Sequence, residues 1–275
     1  MKRNIYLKTI PPAEAVARVK ASIDREALIR EETIPSHEAS GRVLAHAVHA
    51  RYSSPTFHSA AMDGYAVNAR STFAAREGHP LTLKAGETCF AVNTGHPMPE
   101  GCDAVIMIEQ VMLDGGSVTI EAPAFPWQHV RRIGEDIVAT ELLFPRNHQL
   151  RPWDVGALLS GGIWDVPVWE RVTVRIIPTG DEVLDFTTHP DPGKGQVVES
   201  NSQMLAALAR ELGCVVERAA PVPDNPEALH QALKDSLDAG RHLTIFCAGS
   251  SAGSKDFTRA TLEKEGEILT HGIAA

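Results

Sequence analysis

The sequence predicts a multidomain protein of class α/β plus β. A small all-β module is inserted in an N-terminal domain, and an open, mostly parallel α/β domain follows. Two observations carry this. Between Pro55 and Val130, short β-like runs alternate with Gly, Pro and Asn turns. After Arg171, apolar runs alternate with helix-like stretches, the pattern of a parallel sheet. A length of 275 residues suits about two domains, and a hydrophobic fraction of 43% supplies a sizeable core.

The elements follow in order. Residues 11–30 begin Pro-Pro, and Val16, Val19 and Ile23 share one face, which predicts a helix. Residues 34–52 read as an extended connection with a turn or short helix at its start. In the β module the strand runs are Tyr65-Ala66-Val67, Leu81-Thr82-Leu83, Ala104 to Ile108 and Val118-Thr119-Ile120. A helix is expected around Pro152–Ser160, before Gly161-Gly162. Val172–Ile177 reads as the first strand of the α/β domain. Asn201–Leu212 reads as a helix with Ser200 as N-cap and Gly213 as stop. Further strands are expected in Cys214–Val222, Leu243–Cys247 and Glu267–Ile273, with helices starting at Asp224-Asn225-Pro226 and near Asp256. The segment Asp185–Gly195, rich in Pro and Gly, reads as a turn-rich excursion with no chemistry assigned. The expected domains are 1–50 with 131–170 (linker and dimerisation), 51–130 (the β module) and 171–275 (the α/β domain).

Composition narrows the function. A formal net charge of −9 argues against nucleic acid as the main partner, because a phosphate backbone calls for a basic face. No run approaches the roughly 18 apolar residues of a membrane span. The basic N-terminus has no apolar stretch or cleavage site, so a cytoplasmic protein is expected. Cys89, Cys102, Cys214 and Cys247 include no C-x-x-C pair, so they read as free thiols rather than as a zinc or redox site.

Chemistry collects in two regions. In Ser59-Ala60-Ala61-Met62-Asp63-Gly64-Tyr65-Ala66-Val67 a carboxylate precedes a glycine, which reads as a tight turn presenting Asp63. Asp-Gly alone is more often a plain loop. The second region is the set of loops after the α/β strands, where ligands of open α/β sheets bind. Thr179, Gly180, Asp181 and Glu182 follow the first strand and Asp224 the second. Ala248-Gly249-Ser250-Ser251-Ala252-Gly253-Ser254-Lys255-Asp256 follows the third. Its small residues let backbone N–H groups approach an anion, although such a loop is also a common flexible turn. Carboxylates beside an anion cradle call for a bridging cation, and Mg²⁺ suits oxygen ligands and phosphates. Asp224 is equally a helix-capping acid.

Taken together, five segments in order resemble the molybdopterin molybdenumtransferase family, which includes the gephyrin E-domain. They are Ser59–Val67; Asn93-Thr94-Gly95 with Pro99-Glu100-Gly101-Cys102-Asp103-Ala104-Val105; Arg131-Arg132-Ile133-Gly134-Glu135-Asp136-Ile137; Thr179-Gly180-Asp181-Glu182-Val183; and Ala248–Phe257. The resemblance runs from about Gly41 to Ala274. It implies insertion of molybdenum from molybdate into adenylylated molybdopterin, with release of AMP. It implies Asp63, Thr94, Asp136 and Glu182 as catalytic residues. Thr179, Gly180, Asp181, Ser250, Ser251, Gly253 and Asp256 would bind the pterin phosphate, and Glu182, Asp224 and Asp256 would hold Mg²⁺. It further implies a homodimer in which Asp63, Thr94 and Asp136 approach from the partner subunit, and the molybdopterin adenylyltransferase as a further partner.

Two departures stand out. His58-Ser59-Ala60 occupies the place of the family's D-N-S. His58 is either a proton donor or, as general frequencies favour, a half-buried or surface histidine. The sequence ends before the family's K-P-G-K-P motif, so an α/β domain lacking its basic phosphate contacts and a C-terminal β-domain is expected. Two alternative functions follow. One is a non-catalytic molybdopterin-binding or regulatory module. The other is a molybdopterin adenylyltransferase, against which the Asp63, Thr94 and Asp136 segments argue, since a lone α/β domain has no use for them.

Overall fold

The computed structural model describes residues 9–247 and 257–274. The chain forms two compact units, one of residues 33–168 and one of residues 1–32 with 169–275.

In the unit of residues 33–168, Gly64–Val67 is the middle strand of an antiparallel three-stranded sheet, between Cys89–Val92 and Ala104–Met107. Both faces are covered. Val67, Cys89, Ala104 and Ile106 pack with Leu83, Val118 and Ile120, which come from a second antiparallel sheet of Leu81–Lys84, Ser117–Ile120 and Val111–Asp114. The opposite face presents Ala66, Val92 and Val105 to Ala60 and Val130. Burial on both faces explains why Ala104-Val105-Ile106 is a continuous apolar run rather than an alternating one. The hairpin between Asp114 and Ser117 turns on Gly115 and Gly116, both at positive φ, as a two-residue turn of this hand requires.

A third apolar cluster in this unit joins Ala39, Leu44, Val48, Leu150, Leu158, Val166 and Val168. The helix Pro152–Ser160 forms where expected, with Pro152 in its first turn. The buried Asp154 carboxylate holds its start. It accepts from Arg151 N at 2.9 Å, Arg151 Nε at 3.1 Å and His148 Nε2 at 2.7 Å. Asp154 is ionised and acceptor-only, so the His148 proton is on Nε2.

In the other unit, Thr173–Pro178 is the centre of a three-stranded sheet, with Val215–Arg218 on one side and Leu243–Cys247 on the other, all parallel. The helix Asn201–Glu211 covers one face, placing Ala206 against Val174, Ile176 and Cys247. Spatial order is second, first, third, so the winding direction reverses between the first and third strands. A crevice opens at such a reversal, beyond the carboxyl ends of the strands. The helix Pro226–Asp238 starts at the Asn225 cap, whose side chain accepts from Ala228 N at 2.8 Å.

Several elements depart from the sequence reading. The N-terminal helix is split into Pro12–Ser22 and Arg25–Leu28. Val16, Val19 and Ile23 are exposed and only Ala15 is buried, while Arg18 on the same helix donates to Leu269 O. Ser200 makes no side-chain cap; the Glu199 carboxylate accepts from Ser202 N at 2.7 Å instead. Of the strand expected in 267–273, only Gly272–Ile273 pairs, in parallel with Thr9–Ile10. The helix expected near Asp256 is described as Thr258–Glu265.

Candidate functional site

Each unit carries one group of the expected residues. In residues 33–168, Asp63 and Thr94 meet directly. Asp63 Oδ1 accepts from Thr94 N at 2.7 Å and from Thr94 Oγ1 at 2.9 Å. Sheet geometry fixes the acid's backbone, since Asp63 O accepts from Ile108 N at 3.0 Å. The next residue must be glycine, because a Cβ on Gly64 would lie 2.0 Å from Ile106 O. Asp63 is exposed, and the amide and hydroxyl of Thr94 hold its carboxyl below the ordinary carboxylate range. It therefore carries a fixed negative charge at neutral pH.

Asp136 lies in the bend that follows the adjoining ladder. Ser59–Ala60 pairs with Val130–Arg131, and the Arg131 guanidinium binds the Asp136 carboxylate. Asp136 N donates to Ser54 O at 2.9 Å, which fixes its backbone. The half-buried His58 clasps the same region. Its Nδ1 accepts from Ile133 N at 3.1 Å, and its ring lies against Trp127 with centroids 4.8 Å apart. An amide on Nδ1 puts the ring proton of neutral His58 on Nε2, so this histidine serves first as a strap between two loops.

In the other unit, Thr179 to Glu182 form the turn after the central strand. The buried Thr179 bonds to Cys247 O through both N, at 2.9 Å, and Oγ1, at 3.2 Å. That joins the first strand's exit to the third strand's end at the reversal of winding. Gly180 has φ +139°, and a Cβ there would meet Val183 Cγ2 at 2.7 Å, so the turn requires glycine. Gly180 N donates to Val222 O at 3.1 Å, and Asp181 Oδ1 accepts from Asp224 N at 3.1 Å. Two acidic loops are thereby fastened together at one end of the sheet. Ser250, Ser251, Gly253 and Asp256 lie outside the described residues.

Among the described residues no three His, Cys, Asp or Glu side chains form a ready metal cage. The four cysteines are free thiols, and burial pushes Cys89, Cys102 and Cys247 upward. No helix among the described residues is long and apolar enough to cross a membrane.

One group escaped the sequence reading. Arg218, the last residue of the second parallel strand, bonds to Asp185, Glu199 and Ser202. Asp185 falls in the excursion to which no chemistry was assigned. The available signal was a basic residue at the carboxyl end of a strand, where ligands and acidic loops gather.

Residues 10–162 match the MoeA N-terminal region (domain I and II), and residues 175–275 match a probable molybdopterin binding domain. The molybdopterin molybdenumtransferase of Synechococcus elongatus is 30% identical over 260 residues, covering 88% of this chain and 64% of its own. Molybdopterin molybdenumtransferase 2 of Mycobacterium tuberculosis is 34% identical over 247 residues, covering 84% of this chain and 60% of its own. The chain thus spans less than two thirds of the length of these relatives. A crystal structure of a molybdopterin biosynthesis MoeA protein from Pyrococcus horikoshii superposes with a TM-score of 0.79 at 27% identity, over 97% of this chain and 69% of that one. The fold, the order of its acidic turns and these matches agree: the chain belongs to the molybdopterin molybdenumtransferase family.

Proposed function

We propose that the chain acts in molybdenum cofactor biosynthesis by binding adenylylated molybdopterin and molybdate as substrates, with insertion of molybdenum and release of AMP. One observation carries this reading: the Thr179–Glu182 turn, at the reversal point of a parallel sheet, is fastened to Asp224 by the Asp181 carboxylate. That edge suits a phosphate with an accompanying cation.

The donor set fits Mg²⁺. Its side chains offer carboxylate oxygens, and Mg²⁺ needs only one or two of these beside substrate phosphates and water, so no three-residue cage is required. Glu182, Asp224 and Asp256 would hold the ion, which when bound neutralises phosphate charge. Thr179, Gly180 and Asp181 shape the turn against the phosphate, with Ser250, Ser251 and Gly253 as the amide cradle. Asp63, fixed by Thr94, supplies a negative charge beside a threonine hydroxyl, and the Asp136 carboxylate is paired with Arg131. These three would serve the partner subunit's pterin in a cytoplasmic homodimer that receives its substrate from the molybdopterin adenylyltransferase.

The test is AMP release from adenylylated molybdopterin by purified protein with molybdate and Mg²⁺. Release dependent on molybdate and lost in Glu182→Gln supports the reading. No release overturns it, and pterin binding without release would assign a non-catalytic binding module instead.

A further inference from the structure

We propose that Arg218 is a positioning residue that clamps the base of the 183–198 excursion and so fixes the presentation of Glu182. The proposal rests on reading the Thr179–Glu182 turn as the pterin-phosphate site. The excursion leaves through Val183–Leu184 and returns through Val197–Val198, which pair in parallel. A ladder of two residues on each side is too short to hold a loop of this length by itself. Val197 and Val198 are exposed, so apolar packing does not hold it either. Yet this ladder holds the peptide of Glu182, because Val197 N donates to Glu182 O at 3.0 Å and Glu199 N to Leu184 O at 2.9 Å.

An acid follows each half of the ladder: Asp185 on the way out, Glu199 on the way back. Arg218 takes both. Nη2 lies 3.2 Å from Asp185 Oδ1 and 3.3 Å from Glu199 Oε2, and Nη1 lies 3.4 Å from Asp185 Oδ2. Nε donates to Ser202 Oγ at 2.8 Å, and the Phe186 ring centroid is 4.6 Å from the guanidinium carbon. The Glu199 and Arg218 side chains are 4% and 12% exposed, so water screens this pairing little. Without the guanidinium, two carboxylates would face each other at the loop base with no cation between them. A lysine restores the charge but lacks the planar fork that reaches three partners.

The experiment is amide hydrogen exchange on the full chain, paired with titration of molybdopterin, for wild type, Arg218→Met, Arg218→Lys and Asp185→Asn. In Arg218→Met, exchange in residues 182–199 should rise about tenfold or more, while exchange in Thr173–Pro178 changes by less than about twofold. The Kd for molybdopterin should rise about tenfold, with Arg218→Lys only partly restored. Unchanged exchange in 182–199 overturns the clamp, and a loosened loop with an unchanged Kd overturns its positioning role. If Arg218→Met loses protection throughout the sheet, Asp185→Asn, which keeps the Glu199 pair, decides by the same comparison. Wild type that binds no molybdopterin sinks the pterin reading, and the exchange comparison alone then decides the clamp.

Discussion

Asp154→Asn should destabilise the unit of residues 33–168 by an amount that depends on pH. Burial of Asp154 opposes its charge, but the Arg151 side chain and amide and the His148 imidazole outweigh that, lowering the carboxyl from 3.8 to about 2. At ~1.4 kcal/mol per pKa unit, this difference amounts to roughly 2 kcal/mol of stability at neutral pH. The folded value is the lower one, so the contribution is complete above the unfolded value. It falls as the pH drops towards 2, to roughly half at pH 3. Urea unfolding of wild type and variant at pH 7 and at pH 3 measures this. A gap of roughly 2 kcal/mol at pH 7 that narrows to about 1 kcal/mol at pH 3 is expected. An equal gap at both pH values would mean that the variant acts through packing and not through the ionised carboxylate, and the reasoning fails.

Gly64→Ala forces a Cβ onto Ile106 O in a strand buried on both faces, so a loss of about 3 kcal/mol or more is expected by urea unfolding; a melting temperature within a degree of wild type would refute it. Asp63→Ala removes an exposed group, so its thermal melt should match wild type while AMP release falls at least about tenfold; parallel loss of both would make Asp63 structural. Asn225→Ala loses the cap on Ala228 N and should cost about 1 kcal/mol, whereas Asn225→Ser should recover most of it; identical losses in the two would refute the cap.

Elements with a period or a punctuating residue were legible in the sequence. The helix Pro152–Ser160 carries proline at its start and glycine at its end, and the three parallel strands are apolar runs bounded by turns. The N-terminal helix shows where periodicity misleads. Its apolar stripe of Val16, Val19 and Ile23 has the right spacing, but spacing does not say whether a neighbour is there to cover it. Ser200 failed as a cap for a related reason. The preceding Glu199 reaches the same orphan amide with a stronger, charged acceptor, and a single-residue cap preference does not see that competition. Within each unit, the candidate residues meet across long sequence separations: the Asp63–Thr94 and Asp181–Asp224 pairs join residues 31 and 43 positions apart. Motif order placed each of them at a loop, but only the sheets bring the partners together. Arg218 at the end of a strand run gave only a weak signal, because its acidic partners Asp185 and Glu199 come from the base of an excursion far from it in sequence.

The double-faced burial of Gly64–Val67 has an evolutionary edge. Around Asp63 the chain admits almost no side-chain volume: Ala60, Ala66 and Val67 have no exposed surface, and Gly64 sits against a neighbouring carbonyl. Seven of the nine residues from Ser59 to Val67 are at least half-buried, so space constrains most of the string before chemistry does. Only Met62 and Asp63 point their identity outward. Packing alone would hold most of the string in place without any chemistry, so Asp63 is the position whose identity reports on function.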